Sequence, residues 1–207
     1  MFDSQAATVP GAERRASART GGVAGNARLT GAVAVALLVL LAAEGVTIPF
    51  IGQLLGPHMF IGLLLIPPVA LKMASTGYRF ARYYTHDEPY VRKGPPPIVL
   101  RFLAPGVVLT TLAVFGTGVA LLFTGPPSDT LKFAHKLSFI AWVALMALHV
   151  LGHLLELPRL ASADWRRSGP REARLAGAGM RASALAAAIV VGVALGFVAL
   201  SLGKAWL

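Results

Sequence analysis

Three of the chain's five histidines stand in one apolar stretch, Phe133 to Leu157: His135, His149 and His153. A histidine in hydrocarbon is costly, so it faces a partner, a cavity or a cofactor. His135 and His149 are fourteen positions apart. On an α-helix that is almost four whole turns, so both imidazoles point the same way, roughly 21 Å apart along the axis. His153 follows His149 by four, one turn further on the same side. Neutral imidazole is a strong metal ligand. One helix thus offers a nitrogen near each face of a bilayer.

The elements that must position these groups follow from composition. The chain has 207 residues, of which 14% are charged, and a mean hydropathy of +0.67. An ordinary soluble domain of this size is far less apolar. The absence of cysteine excludes disulfides, thiolate metal sites, iron–sulfur clusters and covalent c-type haem. Five apolar runs stand out: Leu29–Phe50, Met59–Thr76, Leu103–Phe123, Phe133–Leu157 and Ala182–Leu202. Each has the length needed to cross roughly 30 Å of hydrocarbon. In lipid such segments must be helices, because the backbone has no other way to satisfy its polar groups. The fold class expected is therefore all-α: an integral membrane helical bundle with five transmembrane helices.

The flanking segments complete the organisation. Residues 1–28 are rich in Ala, Gly, Ser and Arg without apolar periodicity, and a disordered basic tail is expected there. Arg14-Arg15 lies ahead of an apolar run, but its neighbours are wrong for a twin-arginine export signal, so a retained first helix is the better reading. Residues 29–158 form the expected four-helix membrane domain, 159–181 a basic loop, and 182–207 the fifth helix. Fifteen of the nineteen Lys and Arg residues fall in the tail and in the second and fourth connections. That asymmetry places the N-terminus in the cytoplasm and the protein in the cell's inner (plasma) membrane. It also explains the net charge of +10 without nucleic acid.

By this topology His58 begins the second membrane helix and His135 the fourth, both near the outer face. Two imidazoles at equal depth on neighbouring helices can ligate haem iron from opposite sides. Gly62, one turn below His58, would leave room for a porphyrin edge. Metal-ligand roles are therefore assigned to His58 and His135, with His149 and His153 as further cofactor-binding candidates. At the inner side, the position fourteen after His58 is Lys72, which can snorkel to the interface. A single haem, an unusual second haem site, and a quinone pocket using His149 or His153 all remain open there.

Other residues carry weaker signals. Glu44 is the only acid well inside the first span, suited either to proton transfer or to the outer interface. Glu156 reads as an interfacial acid beside Arg159. Pro67-Pro68 is expected to kink the second helix. Gly116 and Gly118 in the third, and the G-x-x-x-G of Gly192 and Gly196 in the fifth, permit close approach of helices or of a flat ligand. The loop Ser75–Pro97 reads as an interfacial anchor and topology signal, with His86 solvated and Pro95-Pro96-Pro97 a stiff entry to the third helix. No Walker loop, G-x-S-x-G or H-E-x-x-H occurs, so no hydrolase or nucleotide site is expected.

The histidine layout resembles the four-helix membrane b-type cytochromes, the cytochrome b561-like group that includes the cytochrome b subunits of formate dehydrogenase and nickel-iron hydrogenase. In that group a late helix carries two histidines about fourteen apart, matched here by His135 and His149. A histidine near the outer start of the second helix pairs with the first of them, matched here by His58. The chain departs from the group in having no first-helix histidine for an inner haem. The resemblance implies haem b, electron exchange between a membrane quinone and a redox partner protein, and a non-catalytic electron-transfer subunit of an oxidoreductase rather than a self-contained enzyme. A haem-free multi-pass membrane protein, a small transporter or assembly subunit, is the alternative.

Overall fold

The computed structural model describes residues 22–95, 98–154 and 177–207. The expectations for Arg14-Arg15, Pro96-Pro97, Glu156 and most of the 159–181 loop lie outside them, as does the His153 side chain. The described residues are helical with no strand. The elements are α1 (Gly22–Thr47), α2 (Ile51–Tyr84), α3 (Glu88–Lys93), α4 (Ile98–Thr124), α5 (Asp129–Leu154), α6 (Ala178–Leu202) and a closing 3-10 turn (Gly203–Trp206). Five of these helices are long and apolar enough to cross a membrane. Their large side chains face outward to an extent no soluble protein tolerates: Phe102 is 80% and Phe123 71% exposed. Helices apolar on every side belong in a bilayer.

Several boundaries differ from the sequence expectation. Gly22 to Arg28, read as tail, is the first part of α1. Helix α2 continues well past Thr76 to Tyr84 and is 34 residues long, roughly 51 Å at 1.5 Å per residue. Its backbone stays helical through Pro67-Pro68; the one non-helical residue inside it is Leu54. That break restarts the helix just before Pro57, a position where the missing proline N–H costs nothing. The chain leaves α2 through His86, exposed as expected, whose φ of 59° is the left-handed conformation common after a helix end.

Three seams hold the bundle: α2 against α6, α4 against α5, and α1 against α2. The α2–α6 seam is the tightest. A Cβ added at Gly192 would collide with the Leu64 backbone carbonyl, and one at Gly196 would lie 2.7 Å from the Phe60 ring. The G-x-x-x-G is thus a backbone contact site, and the fifth membrane span belongs to the bundle. A Cβ at Gly203 would meet the Met59 sulfur at 2.6 Å, prolonging the same seam. The Trp206 indole donates to the Leu121 carbonyl at 3.1 Å, tying the C-terminus to α4.

Helix α1 is fastened to α2 by polar groups. Asn26 donates to the Ser75 carbonyl at 3.0 Å, Thr30 bonds the Ser75 hydroxyl at 3.0 Å, and Lys72 donates to the Thr30 carbonyl at 2.8 Å. Lys72 is therefore engaged with the neighbouring helix. Above this cluster Val33, Leu37 and Leu65 form the buried centre, joined by Phe115 of α4 and Leu185 of α6. On the extended end of α2, Arg82 pairs with Asp87 and Tyr78 meets Tyr90 of α3 edge to face. Burial raises the Tyr90 hydroxyl above its usual pKa, so the phenol stays neutral at physiological pH.

Candidate functional site

Helix α2 divides its surface between two partners. Phe60 and Leu64 face α6. His58, two residues before Phe60, points some 200° round the axis, toward α1 and α5. Gly62 follows His58 by one turn on that second face. A Cβ there would come within 3.5 Å of the Glu44 carboxylate, so Gly62 makes room for Glu44. Glu44 thus borders the space that the sequence assigns to a porphyrin edge.

The His58 ring is held from α1. Its Nδ1 lies 2.9 Å from Glu44 Oε1 and 3.0 Å from Thr47 Oγ1. Thr47 donates its own proton to the Glu44 backbone carbonyl at 2.6 Å. Its oxygen can then only accept from His58, as can an ionised carboxylate. Both partners therefore fix the proton on Nδ1 and leave the lone pair on Nε2. The other Glu44 oxygen, Oε2, is buried with no hydrogen-bond partner among the described residues.

His135 reaches the same arrangement from a different helix. Its Nδ1 is 2.9 Å from Thr117 Oγ1 of α4. Thr117 donates to the Ala113 carbonyl at 2.7 Å, so its oxygen too accepts from the imidazole, and Nε2 again carries the lone pair. Gly118 lets the ring lie against α4: a Cβ there would be 3.2 Å from the ring's Cε1. Gly116 has open space around it and plays no such part. Ser138 turns back to the His135 carbonyl at 2.9 Å, and the Trp142 indole one turn on is fixed to Thr111 at 3.0 Å.

The two rings meet edge-on in a T-shaped arrangement. Their centroids are 6.4 Å apart and their planes cross at 76°. The expected pairing of His58 with His135 is thus a juxtaposition of side chains, with His58 about one turn past the break at Leu54 and His135 nearly two turns inside α5. Helices α2 and α5 have little close backbone approach, so the imidazoles span a wide seam. Among the described residues no group of three or more His, Cys, Asp or Glu side chains gathers to hold a metal ion.

Toward the other end of α5 the described residues bring fewer candidate groups together. His149 follows His135 along the continuous helix α5 and is half-buried. Lys72, at the position where an inner ligand on α2 would stand, is turned to Thr30. The residues missed by sequence reasoning are Thr47 and Thr117. Each is a hydroxyl inside an apolar run, and that is the only signal either leaves.

No family model, no curated protein and no solved structure matches the chain.

Proposed function

We propose that this chain is a membrane b-type cytochrome-like electron-transfer protein that holds haem b between His58 and His135. The observation that carries the reading is the 6.4 Å between the two ring centres. An imidazole nitrogen sits about 2 Å from a metal, and two such bonds back to back, with half a ring at each end, sum to roughly 6 Å. A porphyrin supplies the remaining four nitrogens, so two protein donors complete the set and no third side chain is required. Each imidazole has its Nδ1 anchored, the usual means of fixing the tautomer and orientation of a metal-ligating histidine.

Within this reading each neighbouring residue has a defined task. Thr117 and Gly118 seat His135 on α4. Thr47 and Glu44 seat His58 from α1, and Gly62 admits Glu44. Glu44 stands beside His58 alone, so the two histidines would present haem with different surroundings. Haem held here would supply reversible one-electron chemistry at iron, tuned by ligands, burial and hydrogen bonds. Electrons would pass between the quinone pool and a separate redox partner, making the chain a non-catalytic subunit of an oxidoreductase in the cytoplasmic membrane. An inner quinone or second haem at His149 or His153 belongs to the same proposal, with Lys72 turned to Thr30.

The test is an optical spectrum of the purified protein, oxidised and dithionite-reduced, with a pyridine haemochrome assay. Reduced b-type bands at about one haem per chain are expected. They should vanish in His58→Ala and in His135→Ala and persist in His149→Ala. A colourless protein, expressed with ample haem, would overturn the reading and leave a haem-free membrane protein.

A further inference from the structure

The seam between α2 and α5 carries an aromatic wall beside the histidine pair. With about 100° of turn per residue, Ser138 lies about 60° to one side of His135 and Phe139 about 40° to the other. The Ser138 side is the one packed on α4. Ser138 lies 3.4 Å from the Thr117 hydroxyl, and Leu145 and Gly152 of α5 meet Gly106 and Leu100 of α4. Phe139 therefore stands on the flank turned toward His58 and α2, where it is half-buried. Its ring stacks on the Trp142 indole, with centroids 6.4 Å apart and planes 25° from parallel. Trp142 is itself fixed. Its N–H donates to Thr111 Oγ1 at 3.0 Å, and the buried Thr111 donates to the Val107 carbonyl at 2.6 Å. A chain of contacts thus runs from the backbone of α4 through Thr111 and Trp142 to the Phe139 ring.

Helices α2 and α5 run the same way through the bundle, since the crossing of α4 separates them. His58 and His135 meet across the seam, so one turn on, Gly62 of α2 comes level with Phe139 of α5. We propose that Phe139, backed by Trp142, covers the half of the haem that extends past His135 along α5, and that this cover raises the haem's reduction potential. The proposal rests on haem held between His58 and His135. One helical turn, about 5.4 Å, is comparable with the reach of a porphyrin from its iron to its rim, so the macrocycle meets residues one turn from its ligands. An aromatic ring prefers an offset stack on another flat π-system. Apolar cover also keeps water from the macrocycle and disfavours the more highly charged ferric state. Phe139 is a positioning residue in this scheme, and Thr111 acts only through Trp142.

Redox potentiometry and haem titration of the full chain test it. Phe139→Ala should retain the six-coordinate bis-histidine spectrum, because neither ligand is touched. Its midpoint potential should fall by about 59 mV, a tenfold shift in the ferric–ferrous equilibrium, and its haem affinity should fall roughly tenfold. Phe139→Leu restores apolar cover and should recover most of both. Thr111→Val removes the acceptor that fixes Trp142 and should give a smaller fall in potential; it carries the test if Phe139→Ala does not fold. Phe133→Ala removes the same ring from an exposed position on the same helix and should change neither quantity. Wild-type values in Phe139→Ala and Thr111→Val, or an equal fall in Phe133→Ala, would overturn the proposal while the haem site itself stands. A wild type that takes up no haem would overturn both.

Discussion

His58 and His135 are each held by one threonine. Both Thr47 and Thr117 give their protons to carbonyls of their own helices, which turns each hydroxyl into an acceptor for an imidazole N–H. Removing that acceptor should release the ring without unfolding anything. Thr117→Val, nearly isosteric, leaves His135 Nδ1 without its partner. Loss of such an outer hydrogen bond lowers metal affinity by roughly 10- to 100-fold, so haem titration of the apoprotein should show a drop of that order. Thr117→Ser restores the oxygen and should restore the affinity, while helical content stays at the wild-type level in all three. Equal affinity in the valine variant would mean that the hydroxyl does not position the ligand. At this scale sequence was a partial guide. The spacing of the histidines and the isolation of Glu44 in an apolar run both stand out in one dimension. The pairing of Glu44 with His58 depends on how α1 turns into α2, and Gly62 acquires its role only once Glu44 is seen opposite it.

At the level of elements the decisive partition is on α2, which gives one face to α6 and the other to the histidine seam. Period and length alone announce five membrane helices, because each must satisfy its own backbone in lipid. The G-x-x-x-G at Gly192 and Gly196 was equally legible as a packing motif, and it is one. Its partner was not, since Phe60 and Leu64 carry no mark that distinguishes them from other apolar residues. The break at Leu54 was hidden for a related reason: proline marks where a helix loses a donor, and Leu54 lies three residues before Pro57 with an ordinary side chain. The α2–α6 contact leads to a direct stability prediction. Gly192→Val would drive a branched side chain into the Leu64 carbonyl, and overpacking of this kind costs roughly 1–3 kcal/mol. Thermal unfolding in detergent, followed by tryptophan fluorescence, should shift downward for Gly192→Val. Gly179→Val, where a Cβ meets nothing within 4 Å, should shift far less. Equal shifts would mean that the close approach of α2 and α6 is not a source of stability.

For the whole molecule, the direction in which it faces decides which side of the membrane the site meets. If the basic connections lie in the cytoplasm, the His58–His135 seam sits toward the outer face, and under the proposed function its redox partner is on that side. If the orientation is reversed, the same seam would serve a cytoplasmic partner. The charge distribution favours the first, since the Lys and Arg count near the ends of membrane helices sets orientation, and fifteen of nineteen such residues lie in helix ends and connecting segments on one side. Because the chain has no cysteine, single cysteines can report topology without a background. Thr130→Cys places a thiol on the exposed first turn of α5, and Glu88→Cys places one on α3, where the native side chain is 84% exposed. These positions lie at opposite ends of the bundle, separated by the single crossing of α4. A membrane-impermeant maleimide applied to intact cells should label Thr130→Cys and spare Glu88→Cys, with both labelled after lysis. The converse pattern would place the N-terminus outside and move the histidine seam to the cytoplasmic half of the membrane. Labelling of both in intact cells would show that α4 does not cross the bilayer, and the shared depth of the two histidines would then rest on their side-chain contact alone.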